Sequence, residues 1–230
     1  MEKAILILAM VLFPLGALAA DLKIYTEEYP PYNTAAGGTL GGVNTELLLK
    51  ALDKAGVGIG RDDIELVPWS RAYQGALSEA GTCVFSTTRT DERENLFKWV
   101  GPLSKTQTAF VAKKGSGITL SSPADAGQYI VGVVKDDVGH QLALAAGLPE
   151  DKLDIASSAD AQVKKLDAGR VDLIVYEVLS VQKLAESLGL DPNSFESALV
   201  LKEGELYLAC NPGTNDDLLK TIQTALDEVK

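Results

Sequence analysis

The stretch IELVPWSRAYQGALSEAGTCVFSTTRTDER, residues 64–93, contains a predicted strand, helix and strand in succession. Residues 64–67 and 82–86 are short apolar runs typical of buried strands, and residues 69–77 between them are predicted to be helical. Strands that alternate with helices in this way are typical of a parallel sheet covered by helices on its faces. We therefore expect an α/β fold.

The same order extends in both directions along the chain. Upstream, we predict a strand over residues 22–25 and a helix over 45–55 with Asn44 as its N-cap. Downstream, we predict strands over 108–112, 129–134, 153–156, 172–176 and 206–210, and helices over 139–146, 159–168, 178–188 and 215–229. Two α/β units joined by extended strands, without a flexible linker, indicate two lobes that hinge around a cleft.

Hydroxyl groups and two arginines follow where the last strand of residues 64–93 ends, in Phe85-Ser86-Thr87-Thr88-Arg89-Thr90-Asp91-Glu92-Arg93. Short hydroxyls, backbone N–H groups and a planar guanidinium together suit a small carboxylate. The segment is equally compatible with a strand followed by an ordinary capped helix. In that case Arg93 would form a surface ion pair with Asp91 or Glu94.

The N-terminal region is typical of an export signal. Residues 4–18 are almost continuously apolar, follow Lys3 and end in Ala17-Leu18-Ala19. The apolar run is shorter than the roughly 20 residues that cross a bilayer. We expect cleavage after Ala19 and a mature protein free in the periplasm.

Composition excludes some classes of function. The net charge is −11, and the chain lacks the basic stripe of a nucleic-acid binder. His140 is the only histidine, and we expect it on a helix surface. With no Cys-x-x-Cys pair, the sequence predicts no metal site and no cofactor. Cys83 and Cys210 could form one disulfide or remain two buried thiols, and their spacing does not decide.

Several fragments, in this order, resemble one known family. They are Tyr29-Pro30-Pro31-Tyr32, Gly42-Val43-Asn44-Thr45-Glu46-Leu47, Thr88-Arg89-Thr90-Asp91-Glu92-Arg93, Phe97-Lys98-Trp99-Val100-Gly101-Pro102, Val131-Gly132-Val133 and Gly169-Arg170-Val171-Asp172. The chain resembles the periplasmic solute-binding proteins of ABC importers for polar amino acids, of the bacterial extracellular solute-binding family 3 type.

The resemblance implies a two-lobed periplasmic-binding-protein fold of type II, in which each lobe is a mostly parallel sheet flanked by helices. After a signal peptide over residues 1–19, we expect a first lobe over 20–105, a second lobe over 106–204 and a return to the first lobe over 205–230. The two strands that cross between lobes would be the hinge. The resemblance also places both cysteines on neighbouring first-lobe strands. A disulfide and two free thiols are equally compatible with that placement.

The resemblance also implies a ligand site in the first lobe. Arg93 would bind the solute's α-carboxylate, helped by Thr88 and Ser86. Aromatic side chains would line the same lobe and pack on the solute, unless they only pack in the core or at the rim; these are Tyr29, Tyr32 and Trp69. Arg89 departs from the usual apolar residue at its position, so it would either contact a second anion or point to solvent.

The second lobe departs further from the family. Asp136-Asp137-Val138-Gly139 replaces a Gly-Thr-Thr-like turn, and Tyr176-Glu177 replaces an aspartate that accepts the solute's α-ammonium. Glu177 retains the charge, whereas an ionised Asp137 cannot donate a hydrogen bond. Asp136 and Asp137 would either face the cleft or cap the helix beginning near Val138. If they face it, the solute has an anionic end at Arg93 and a cationic group near Glu177 and the aspartates.

The sequence therefore predicts a monomeric receptor, not an enzyme, that closes on a small polar solute and delivers it to an ABC permease in the inner membrane. The solute would be an amino acid or a related zwitterion. Two alternatives remain open on the same scaffold. One is a dehydratase-like periplasmic enzyme that uses Glu177 or Asp137 as a general acid or base, and the other is a ligand-sensing module.

Overall fold

The protein is described by a computed structural model over residues 22–35 and 37–230; the predicted export signal and its cleavage site lie outside these residues. The strands are β1 Lys23–Thr26, β2 Ile64–Leu66, β3 Thr82–Thr88, β4 Lys98–Lys113, β5 Val131–Val134, β6 Leu153–Ala156, β7 Leu173–Glu177 and β8 Phe195–Cys210. The helices are α1 Val43–Lys54, α2 Trp69–Ser78, α3 Val138–Ala145, α4 Ala159–Asp167, α5 Val178–Ser187 and α6 Asp216–Val229.

All eight strands form one sheet in the order β2-β1-β3-β8-β4-β7-β5-β6. At one end β1 pairs in parallel with β2 and β3, and at the other β5 pairs in parallel with β6 and β7. Between these two parallel groups, hereafter the first and second lobes, β4 and β8 run antiparallel to each other. The predicted α/β fold with two lobes joined by two strands is confirmed.

The two central strands are much longer than the sequence predicts. β4 extends over Lys98–Lys113 and β8 over Phe195–Cys210, whereas the apolar pattern indicated only 108–112 and 206–210. The polar residues 104–108 of β4 pair with 202–206 of β8. Backbone hydrogen bonds maintain this ladder without requiring apolar side chains, so hydrophobic patterning underestimates its length.

One alternative helix is absent and one predicted helix start is wrong. The residues after Thr90 form turns instead of a helix, with the N–H of Arg93 donating to the carbonyl of Thr90. Helix α1 begins one residue before Asn44, and its N-cap is Gly42 at φ 107°. A Cβ at Gly42 would overlap the Tyr32 carbonyl, so glycine is required there. Asn44 instead donates from Nδ2 to Ser86 Oγ, 2.9 Å away.

The expected surface position of His140 is also wrong. His140 is only 8% exposed, because the first turns of α3 pack Val138, Gly139 and His140 against the sheet. The Cβ of a larger residue at Gly139 would overlap the carbonyl of Val175 on β7, so α3 lies directly on that strand. His140 Nε2 lies 3.9 Å from Glu150 Oε1.

Apolar side chains form a core in each lobe and also between the lobes. One cluster lies in the first lobe and includes Ile24, Leu48 and Phe85. Another lies in the second lobe around Phe110 and Leu173. A third contains side chains of both lobes, among them Tyr29, Tyr32 and Trp69 with Tyr176, Val163 and Leu184. The lobes therefore meet through packed aromatic side chains. No helix in residues 22–35 and 37–230 is long and apolar enough to cross a bilayer.

Cys83 and Cys210 form a disulfide, which decides between the two alternatives. They are directly paired on the adjacent strands β3 and β8, with Cα atoms 4.0 Å apart and both side chains fully buried. The bond joins residues separated by 127 positions. It therefore fastens the returning C-terminal strand to the first lobe.

Replacement of both cysteines by alanine is expected to lower the free energy of unfolding by about 4 kcal/mol, because the crosslink restricts the unfolded chain. Urea unfolding of wild type and the double variant measures the difference, and thiol titration under denaturing conditions verifies the bond. A loss below about 1 kcal/mol would show that the bond adds little to a sheet already held by β8 pairing.

Candidate functional site

A small central cavity lies where the two lobes meet at the carboxyl ends of several strands. Its volume is about 10 Å³, room for about one water molecule. The predicted site residues that line it are Tyr29, Trp69, Ser86, Thr88, Asp137 and Glu177, and they are joined by Glu27, Thr108, Val138 and Tyr176. The remaining two lie beside it: Tyr32 lines a neighbouring cavity, and Arg93 is buried close to Trp69.

The end of β3 is irregular, and this irregularity positions the hydroxyl groups. The pairing of β3 with β8 shifts register between Val84 and Thr87, and Ser86 has φ 59°. Such a bulge redirects side chains at the end of a strand. Ser86 and Thr88 both reach the central cavity as a result.

Arg93 is fully buried, and its guanidinium connects the two lobes. One terminal nitrogen donates to the Thr88 carbonyl at 3.2 Å, and the other donates to the Asp136 carbonyl at 3.1 Å. The guanidinium carbon lies 4.9 Å from the ring centre of Tyr73 and 5.5 Å from that of Trp69. Burial lowers the pKa of Arg93, and the Asp137 charge acts in the opposite direction. The alternative of a surface ion pair is therefore wrong.

The guanidinium of Arg93 lacks one hydrogen-bond partner and a direct ion pair. Arg93 Nε has no hydrogen-bond partner among residues 22–35 and 37–230. No carboxylate oxygen in that part of the chain lies within ion-pair distance of the guanidinium. A buried cation without a direct ion pair is costly, so it is a strong candidate for binding an anion.

Arg89 lies away from this cavity. Its guanidinium forms a two-point ion pair with Glu94 at 2.7 and 2.5 Å. It also lies over the rings of Trp99 and Tyr207, at 5.5 and 5.3 Å. Of the two alternatives for Arg89, this placement favours the one without an anion contact, because the side chain packs on the surface of the first lobe.

Asp136 and Asp137 have different roles. Asp136 has φ 62°, a conformation that aspartate tolerates better than most residues. Its backbone carbonyl faces Arg93, and its carboxylate accepts a 3.4 Å hydrogen bond from Gln74 of α2. Asp137 is the N-cap of α3, accepts from the N–H of Gly139 at 3.4 Å and also lines the cavity. For Asp137, both alternatives of the sequence analysis hold together.

Glu177 also combines a cap with a place in the cleft. It ends β7 and caps α5, accepting a 2.6 Å hydrogen bond from the N–H of Ser180. It is only 7% exposed and lines the central cavity. One oxygen of its carboxylate is therefore occupied by the protein's own backbone.

Glu27 is a cleft residue that the sequence analysis missed. It follows β1 directly, is 7% exposed and lines the central cavity. Burial raises the pKa of Glu27 well above its ordinary value, Asp137 raises it further, and Arg93 lowers it. Burial likewise raises the pKa of Asp137. The sequence signal that could have identified Glu27 is its position at the carboxyl end of a parallel strand, where α/β proteins form ligand clefts.

The aromatic residues connect the first lobe to the hinge strands and to the second lobe. Tyr29 shares a 3.0 Å hydrogen bond with Thr106, and Tyr32 donates to the Lys105 carbonyl at 3.1 Å. The ring of Tyr29 packs edge-on against Tyr176 at 5.3 Å. Tyr176 Oη and Trp69 Nε1 have no hydrogen-bond partner among the described residues, although both side chains are buried.

Two larger cavities flank the central one. The hinge cavity has a volume of about 340 Å³ and is lined by Tyr32, Lys105, Thr106, Gln107, Glu177, Glu203 and Gly204. The outer cavity has a volume of about 200 Å³ and is lined by Glu27, Glu28, Leu66, Val67, Pro68, Trp69, Ser158, Ala159, Asp160 and Leu184. Glu177 borders the hinge and central cavities, and Glu27 and Trp69 border the outer and central ones. The described residues contain no cluster suited to a metal ion.

Several solved structures share this architecture. The arginine-bound Gly52Ala mutant of ArgBP from T. maritima has a TM-score of 0.74 at 16% identity, over 90% of this chain and 95% of that one. A histidine kinase sensor domain with similarity to periplasmic binding proteins has a TM-score of 0.77 at 16% identity, over 90% of each chain. An ancestral arginine-binding protein bound to glutamine has a TM-score of 0.72 at 24% identity, over 90% of each chain. At these identities the likeness establishes the fold.

Curated protein sequences give no significant match to the chain. A family model does match, and it covers residues 22–230, which include both lobes, the hinge strands and every residue around the cleft. The chain therefore belongs to the bacterial extracellular solute-binding proteins, family 3.

Proposed function

We propose that this protein is a periplasmic receptor that closes its lobes on a small zwitterion, such as an amino acid, and that Arg93 binds the carboxylate of that solute. The observation that carries the proposal is the fully buried guanidinium without an ion pair in the described chain. A carboxylate would supply the missing negative charge and could accept from Nε. Ser86 and Thr88 line the adjoining cavity with hydroxyl groups that suit the same anion.

The second lobe supplies negative charge to the same cleft. Asp137 and Glu177 both line the central cavity, and the helix-cap hydrogen bond of each uses one carboxylate oxygen and would leave the other oxygen for the solute. An ammonium group on the solute would pair with these oxygens. Tyr29, Tyr32, Tyr176 and Trp69 would pack on its apolar part. Every residue of the predicted site thus has a role in the proposed complex.

The hinge is proposed at the level where the chain crosses between lobes. The expected lobe boundaries, 105/106 and 204/205, fall on facing residues, since Lys105 pairs with Glu205 and Thr106 with Gly204. Register shifts interrupt the pairing of β4 and β8 on both sides of this level. The central cavity of about 10 Å³ is too small for any amino acid, so the lobes must separate for a solute to enter.

We propose that the protein binds the solute in order to deliver it for transport. Family membership and the expected export signal support a periplasmic location and delivery to an ABC permease of the inner membrane. We expect the receptor to act as a monomer, without a cofactor and without chemical change to the solute. Incubation with a bound amino acid followed by chromatography tests the last point, because a product would favour the dehydratase-like alternative.

Arg93→Ala is expected to weaken binding of an amino acid by at least about a hundredfold, because a charge-assisted two-point contact is lost. Thermal unfolding against a panel of amino acids first identifies a bound probe, since a hundredfold excess over Kd stabilises by about 2.7 kcal/mol. Calorimetry with that probe then gives the affinity of each variant. Arg93→Met keeps packing against Tyr73 and should lose binding equally.

Arg89→Ala is the matched control, because Arg89 belongs to the same segment but pairs with Glu94 outside the cleft. We expect its affinity to stay within about twofold of wild type. Unchanged affinity in the Arg93 variants, or equal losses in the Arg89 and Arg93 variants, would disprove the carboxylate contact. Circular dichroism confirms that each variant is folded.

Binding of a cationic amino acid is expected to weaken as the pH falls from about 7.5 to about 5, because the pKa of Glu27 and that of Asp137 are both raised and a protonated carboxyl no longer pairs with a cation. The loss is expected to reach at most about tenfold per pH unit for each proton taken up. Raised folded-state pKa values also mean that these two groups favour folding below their unfolded pKa and lose that contribution as the pH rises.

Calorimetric titrations of L-arginine across this pH range, with L-glutamine as the uncharged reference, measure the effect. If the affinities for arginine and for glutamine were both independent of pH, the predicted pH dependence of cation binding would be contradicted.

A further inference from the structure

We propose, on the basis of the receptor function above, that Asn44 is a positioning residue for the carboxylate of the solute. Its side-chain amide donates a hydrogen bond to Ser86 Oγ, which leaves the proton of the Ser86 hydroxyl free to donate to that carboxylate. Asn44 is only 1% exposed and contacts Ser86 from the start of helix α1. It would therefore act on the solute through Ser86.

The single proton of the Ser86 hydroxyl decides what this side chain can offer to an anion. A carboxylate only accepts hydrogen bonds, so Ser86 supports it only if its own O–H donates to it. The amide nitrogen of Asn44 only donates, and it lies 2.9 Å from Ser86 Oγ. Ser86 therefore accepts on the side of Asn44, and its proton has no acceptor among residues 22–35 and 37–230. Because Ser86 lines the central cavity, this proton is available to a solute.

The neighbouring Thr87 shows the other use of such a proton. Its hydroxyl donates to the carbonyl of Val84 at 3.2 Å, so that its proton is used inside the first lobe. Ser86 has φ 59° and lies where the pairing of β3 with β8 is irregular. Its hydroxyl contacts both Asn44 and the central cavity. The bulge therefore places one hydroxyl between an internal donor and the place of the solute.

The start of α1 fixes Asn44 in this position. The N–H of Asn44 donates to the carbonyl of Tyr32 at 2.9 Å, and the N–H of Val43 donates to the carbonyl of Pro31 at 3.0 Å. Asn44 thus joins the loop that carries Tyr32 to the end of β3. Binding groups that are held by such supporting contacts keep their geometry before the solute arrives.

An aspartate at position 44 would reverse the hydrogen bond. Its carboxylate would accept the proton of Ser86, and lone pairs of Ser86 Oγ would then face the carboxylate of the solute. Asparagine and aspartate have nearly the same shape, so the change alters the direction of one hydrogen bond and leaves the packing intact. Negative charge also suits the first turn of α1, and we therefore expect the variant to fold.

Asn44→Asp is expected to weaken binding of an amino acid by at least about tenfold, because a hydrogen bond to a charged group is replaced by a repulsive contact. The probes are the common L-amino acids, since all of them carry the α-carboxylate. Calorimetry uses the one that raises the unfolding temperature of wild type most. In a Ser86→Ala background, the same change should weaken binding by less than about threefold, because no hydroxyl remains to be turned.

Val43→Asp is the matched control, because it adds the same charge to the first turn of α1 on a side chain that is 57% exposed. Its affinity should stay within about twofold of wild type. Three results would each overturn the role of Asn44 and leave the receptor function intact. They are unchanged affinity in Asn44→Asp, equal losses in Asn44→Asp and Val43→Asp, and an equal loss with and without the Ser86 hydroxyl. Failure of wild type to bind any of the probes overturns the receptor function itself.

Asn44→Ala provides the second measurement if the aspartate variant does not fold. It removes the donor without adding charge, so the Ser86 hydroxyl loses its fixed direction. Affinity should fall by at least about threefold, and by less than about twofold in the Ser86→Ala background. A lower unfolding temperature of the unliganded variant, with unchanged affinity, would show that Asn44 serves the fold alone and would overturn the proposal.

Discussion

The buried guanidinium of Arg93 is the interaction on which the arrangement of the cleft depends. It donates to the end of β3 in the first lobe and to the loop before α3 in the second, through the carbonyls of Thr88 and Asp136. A charge in this position must be compensated, and the described chain offers it carbonyl dipoles and aromatic rings but no direct carboxylate. Arg93 therefore joins the two sides of the cleft, while its own charge has no direct carboxylate partner in the described chain.

The sheet places this contact between two parallel groups of strands. Only β4 and β8 run through the middle of the sheet, with a parallel group of strands on either side. The first lobe is secured by the Cys83–Cys210 disulfide between β3 and β8, so the returning strand is fixed there covalently. The second lobe has no such bond among the described residues. Under the proposed function, motion between the lobes would be expected where the two central strands pass from one lobe to the other, near Gly204.

Two carboxylates of the cleft also have a structural role. Asp137 and Glu177 cap α3 and α5, which places negative charge at helix N-termini, where it is stabilised. The same placement brings the ends of two second-lobe helices to the cavity that faces Arg93. Glu27 has no such structural duty for its carboxylate. The cleft therefore brings three carboxylates close to one cation.

The sequence by itself determined the alternation of strands and helices, the two-lobed fold and the identities of most residues around the cleft, because apolar periodicity and a few local motifs encode them within short windows. It could not give the length of β4 and β8, whose polar middle is held by backbone pairing. Nor could it show that His140 is buried, that Arg93 lies under the opposite lobe, or that Cys83 faces Cys210. Glu27 in particular is an ordinary acidic residue after a strand until the second lobe covers it. Those facts depend on which distant segments are brought together, and only the tertiary structure decides burial, pairing and the charges that each side chain meets.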